Sequence, residues 1–125
     1  MKIISIEAIS HKKQDYPTVG NWKFQKKRLV ILISRMKNPD YIFLVALHEL
    51  CEAWLCFRRG ISEKSVTKFD IAFEKVRKPG DASEPGDSPR APYYFEHQVA
   101  TRIEKIMAKE LAVDWADYED TIAIL

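Results

Sequence analysis

Seventeen consecutive positions, Tyr41 to Phe57, are apolar except for His48, Glu49 and Glu52. The run is too long for a buried strand and predicts a helix that starts near Asn38-Pro39-Asp40, with Asn38 or Asp40 as its cap, and stops at about Arg59 before Gly60. Upstream, the Ile-rich residues 2–9 predict a first strand. Trp22 and Phe24 then alternate with lysines, Gln25-Lys26-Lys27 makes a turn, and Leu29 to Ser34 reads as a buried β-branched strand. Downstream, Ser62 can cap a second helix carrying Val66, Phe69, Ile71, Phe73 and Val76, which ends before Pro79. Residues 77–92 hold four prolines and two glycines and predict a long loop, the kind of segment that often serves function. A third helix should run from Tyr93 to about Leu111, followed by a short helix or irregular tail around Trp115 and Tyr118. The pattern predicts an α+β domain over residues 1–125, with a small, at least partly antiparallel N-terminal sheet against a buried site helix and two further helices.

The three ionisable residues inside the apolar run need compensation, because an unpaired buried charge is costly. At about 100° per residue, Glu52 lies about 40° from His48 and Glu49 about 100° from it, so all three project into one arc of the helix. His-Glu-x-x-Glu has the spacing of a metallohydrolase helix, with Glu52 where the second His usually stands. A core histidine bonded to a neighbour, with both glutamates emerging at the helix edge, is the other reading of the same pattern. A catalytic zinc takes three protein ligands and keeps a fourth position open. His97, at the start of the third helix, is the natural third ligand beside His48 and Glu52, while His11 sits in a Lys-rich stretch and reads as a surface residue. Cys56 falls one turn below Glu52 but, like Cys51, reads as a reduced core residue. Glu104 shares a stripe with His97 but stands two turns away, about 10 Å along the axis, too far to share one metal. It is better cast as a partner supporting a ligand. Glu96 reads as an exposed salt-bridging residue, and Asp70 with Glu74 as a solvated acidic face. Glu49, rotated away from the His48–Glu52 line, suits a general base facing the open coordination position.

Charge changes this picture little. The net charge is +2, with nine Lys/Arg against three acids in residues 1–40, and five acids without a base in residues 110–125. The basic segment reads as a solvated face rather than a nucleic-acid surface. No signal-peptide pattern opens the chain and no run suits a bilayer, so the expectation is a cytoplasmic protein that does not engage the membrane. Composition is silent on oligomeric state.

The segments Tyr16-Pro17-Thr18-Val19-Gly20-Asn21-Trp22, Phe43 to Ala53, Phe69-Asp70 with Phe73-Glu74, the Pro-Gly-Asp loop, and Pro92 to His97 leading to Ala100 and Ile103-Glu104 resemble, in that order, a family of small uncharacterised bacteriophage and prophage proteins. That resemblance implies the cytoplasm of a bacterial host and carries no activity. More distantly, the strand followed by a His-Glu helix is similar to the core of zincin-type zinc metallopeptidases. In that comparison His48 and Glu49 match the first ligand and the general base, while Glu52 replaces a histidine. The resemblance implies a zincin-like fold and a hydrolase acting on a peptide or protein substrate, with Zn2+, or Mn2+ or Fe2+ given the harder carboxylate ligand. Two rival functions stay open. One is a magnesium-dependent nucleotide phosphohydrolase using Glu49 and Glu52 with Glu96 or Glu104. The other is a non-catalytic interaction protein with a structural metal or buried polar network.

Overall fold

The computed structural model describes residues 3–81 and 83–125; Lys2 of the predicted first strand and Ala82 of the predicted loop lie outside them. Three strands, β1 (Ile3–Ile9), β2 (Gly20–Gln25) and β3 (Arg28–Ser34), form a mixed sheet in the order β1-β3-β2. β3 runs parallel to β1, from Ile3 opposite Arg28 to Ile9 opposite Ser34, and antiparallel to β2. The continuous Leu-Val-Ile-Leu-Ile run suits this central position, since the strand is paired along both edges and a helix covers its Leu29, Ile31 and Ile33 face. Leu29, Ile31 and Ile33 are fully buried. The β2–β3 connection is the two-residue Lys26-Lys27 turn, in which both residues take positive φ (48° and 65°) without a glycine.

Helix α1 (Pro39–Arg58) forms as the apolar run predicts: the Asn38 side chain accepts the Asp40 N–H at 2.9 Å, and Pro39 occupies the first turn. Gly60, at φ +70°, ends it. Leu44 and Val45 face the sheet and join the Leu29, Ile31 and Ile33 core. Helix α2 (Glu63–Lys75) is capped by Ser62, which accepts the Ser65 N–H. Helix α3 (Tyr94–Glu110) packs along α1, the most extensive helix contact in the molecule. The tail is a regular helix, α4 (Trp115–Ala123), capped by Asp114, so three helices rather than two accompany α1. Within the predicted loop, Pro85–Asp87 forms one 3-10 turn; the second Pro-Gly-Asp is a structured element, not plain loop. Among the described residues, no helix is long and apolar enough to cross a membrane.

Candidate metal centre

The helical repeat of α1 places His48 and Glu52 one turn apart on the face toward α3, and the crossing of the two helices brings His97 to them. His48 Nε2 lies 3.1 Å from Glu52 Oε2 and 3.2 Å from His97 Nδ1, and His97 Nδ1 lies 2.9 Å from the same Glu52 oxygen. All three residues are buried. Three donor atoms thus surround one point. Ligands at the zinc bond lengths of about 2.0–2.1 Å in tetrahedral array would stand roughly 3.3 Å apart. The triangle is only slightly tighter than that. Two imidazole nitrogens and a carboxylate form a complete zinc donor set, and the residues present fit such an ion.

The remaining polar side-chain atom of each of the three residues is also engaged. His48 Nδ1 lies 2.7 Å from Glu104 Oε1, and the Tyr118 hydroxyl donates to Glu104 Oε2. Trp22 Nε1 donates to Glu52 Oε1 at 3.1 Å. His97 Nε2 faces Glu84 Oε2 at 3.0 Å and Asp87 Oδ1 at 3.2 Å. These contacts set the protonation of the metal-free cluster. Burial opposes charge on both imidazoles, but bonds to Glu104 and Glu52 hold the His48 pKa well above its ordinary value. Bonds to Asp87, Glu52 and Glu84 likewise carry His97 up to about 11. Burial would raise the Glu52 pKa, yet the two histidines hold it at about 2. The cluster is therefore a set of buried ion pairs in which both imidazoles attract a proton toward the one point where their nitrogens meet. A divalent cation at that point would remove the conflict.

The cluster opens onto a cavity of about 290 Å³. Half-buried Glu49 lines it and takes no part in the bonds above; burial and the nearby Glu52 push its pKa well above the carboxylate range. Its side chain rests on Gly20 of β2, where an added Cβ would stand 2.7 Å from Glu49 Cγ. Across the cavity, Asp70 of α2 accepts hydrogen bonds from Tyr16 at 2.9 Å and from Tyr93. Burial outweighs these bonds and lifts Asp70 to about 7.

No protein-family model, curated protein or solved structure matches the chain.

Several expectations for the residues around the ligands need correction. Asp70 and Glu74 are not a solvated pair: Asp70 binds two tyrosines at the cavity wall, and Glu74 is held by Arg77 at 2.8 Å. Glu96 does form a salt bridge, to Arg59 at 2.8 Å, but is buried rather than exposed, because α3 turns it into the α1 interface. His11 is half-buried at the end of the sheet, with Nδ1 2.8 Å from Ser34 Oγ, so it is not a plain surface residue. Cys56 is fully buried and Cys51 partly so, both as free thiols. Glu104 supports His48 and shares no ligand point with Glu52. Glu104 is thus bonded to His48, and Glu96 to Arg59. The sequence pattern does not single out Tyr16, Tyr93, Trp22, Glu84, Asp87 or Tyr118 as site residues. Glu84 and Asp87 stand in the long Pro- and Gly-rich loop whose composition marks a functional segment, the one physical signal in the sequence that points to any of them.

Proposed function

We propose that the protein binds one divalent cation, zinc foremost and manganese or iron as alternatives, through His48 Nε2, Glu52 Oε2 and His97 Nδ1, and hydrolyses a peptide or other amide bond. The carrying observation is the 2.9–3.2 Å triangle of buried donor atoms, each with its remaining polar atom tied to a separate partner. When bound, zinc supplies Lewis acidity toward a carbonyl oxygen and lowers the pKa of a coordinated water. Glu49 takes the proton from the attacking water and returns it to the leaving amine, a task suited by its cavity position and raised pKa. Gly20 lets the β2 backbone lie directly against that carboxylate.

An extended substrate cannot pair with Leu29 to Ser34, as a strand at the sheet edge could, because β3 is central and both its sides are taken. Of the two edge strands, β1 and β2, it is β2 that borders the cavity. Its residues Gly20, Asn21 and Trp22 line the cavity, while Glu63 closes the far end by accepting the Phe24 N–H. The cavity beside the cluster favours a hydrolytic over a purely structural metal, which needs a closed shell. We extend the zincin likeness of the strand and His-Glu helix, and the phage resemblance, to the protein as part of the same reading, with action in the bacterial cytoplasm.

The experiment is cleavage of a peptide library by zinc-loaded protein, followed by mass spectrometry. Native protein should cleave, whereas chelator-treated protein and the zinc-retaining Glu49→Gln variant should not. Undiminished cleavage by Glu49→Gln would remove Glu49 from the mechanism, and loss of zinc from it would make Glu49 a ligand.

A further inference from the structure

His97 is held between two sets of groups. Nδ1 faces the ligand point, and Nε2 faces the turn that joins α2 to α3, where Glu84 Oε2 lies at 3.0 Å and Asp87 Oδ1 at 3.2 Å. The turn is itself braced: Asp87 Oδ2 accepts the Glu84 N–H at 3.1 Å, and the Asp87 N–H donates to the Glu84 carbonyl at 3.0 Å. One oxygen of Asp87 therefore fixes the turn while the other meets the imidazole. Between the two acids, Gly86 lies flat against the His97 ring, and any Cβ at that position would overlap the ring atoms. The Tyr93 ring also meets the imidazole, edge to face, at 6.0 Å between centroids.

We infer that the Glu84-Pro85-Gly86-Asp87 turn is a strap that positions His97 for metal binding. A neutral histidine carries its proton on one nitrogen, and the group bonded to that nitrogen decides which lone pair is free for a metal. Carboxylates at Nε2 hold the proton there, leaving Nδ1 as the ligand. The inference rests on the metal-site reading and adds Glu84 and Asp87 to it as positioning residues. His48 shows the mirror arrangement, with Nδ1 against the Glu104 carboxylate and Nε2 at the ligand point. Both imidazoles are therefore oriented by an acid from outside α1. Because the strap lies in the connection between two helices and half-exposes its carboxylates, seating that connection sets how well the site holds its ion. Loss of such a partner characteristically weakens metal affinity by about 10–100-fold.

The same three residues could in principle hold an ion of their own, since Glu84, Asp87 and His97 each offer a ligand atom to a common region. With zinc already on Nδ1, that would require His97 to surrender both ring protons. Stoichiometry separates the two arrangements.

The test uses the full chain, zinc alone as the probe, competition against a chromophoric chelator, and long-range 15N–1H histidine spectra of the zinc-loaded protein. Native protein should bind one zinc with His97 metallated at Nδ1 and protonated at Nε2. The Glu84→Gln/Asp87→Asn double variant should bind zinc about 10–100-fold more weakly, with its His97 Nε2–H signal broadened or lost. Gly86→Ala should weaken zinc in the same direction by pushing the strap off the ring, a second route that leaves both acids in place. Native affinity and an unchanged His97 spectrum in the double variant would overturn the strap while leaving the metal site standing. Two zinc ions per native chain, one of them lost in the double variant, would make the turn a ligand set instead. A native chain that binds no zinc would overturn the metal site, and the strap with it.

Discussion

Across the α1–α3 interface, His48 Nδ1 lies 2.7 Å from Glu104 Oε1, and the other Glu104 oxygen accepts the Tyr118 hydroxyl of α4. Three helices thus fix one imidazole, and the orientation that results aims Nε2 at Glu52 and His97. Glu104→Ala should destabilise the metal-free protein by about 3 kcal/mol, because it takes from the buried imidazolium one of its two carboxylates and leaves only Glu52. Tyr118→Phe should cost less, about 1 kcal/mol, since it removes one hydrogen bond from a carboxylate that keeps another partner. Urea unfolding of chelator-treated protein measures both, and equal losses would mean that Glu104 acts through packing rather than through His48.

The same pair shows how far the sequence can be read. His48, Glu52 and His97 are legible because ionisable groups inside an apolar helix stand out, and only one other helix start offers a histidine. That Glu104 stands two helical turns from His97 is also legible from helical rise. Its contact with His48 is not, because that depends on how α1 and α3 cross. Asp70 looks like any acid on an amphipathic helix until the loop bearing Tyr16 and the start of α3 close over it. In the sheet, the antiparallel hairpin can be expected from Gln25-Lys26-Lys27, whereas the parallel pairing of β1 with β3 rests on a nonlocal contact that periodicity does not encode.

Zinc binding should release protons. In the metal-free protein His48 and His97 both have raised pKa values, so at neutral pH the nitrogens facing the ligand point compete with zinc for a proton. Affinity should therefore rise between about pH 6 and about pH 8, with at least one proton released per ion. Calorimetry in buffers of different ionisation enthalpy measures the count. A pH-independent affinity would show that the imidazoles are already neutral.

Asp70 gives a stability signature of its own. Its pKa rises from 3.8 to about 7 on folding, so the native state holds a proton that the unfolded chain has already lost across that interval. Stability contributed by the protonated form is intact below about pH 4, falls as pH rises toward 7, and is flat above. The full loss is on the order of 4 kcal/mol as an upper bound. Asp70→Asn cannot titrate and should show a shallower decline between those limits in unfolding midpoints of the metal-free protein. Parallel native and variant curves would place the Asp70 pKa at its ordinary value.

Metal content after purification without chelator or affinity tag is the most direct measure of the site. Native protein should carry one zinc per chain, or manganese or iron in its place, and His48→Ala, Glu52→Ala and His97→Ala should each lose nearly all of it, because two ligands do not hold a zinc shell. His11→Ala, whose ring is engaged with Ser34 instead, should retain it. Stoichiometric metal in the His97→Ala protein would contradict the ligand set.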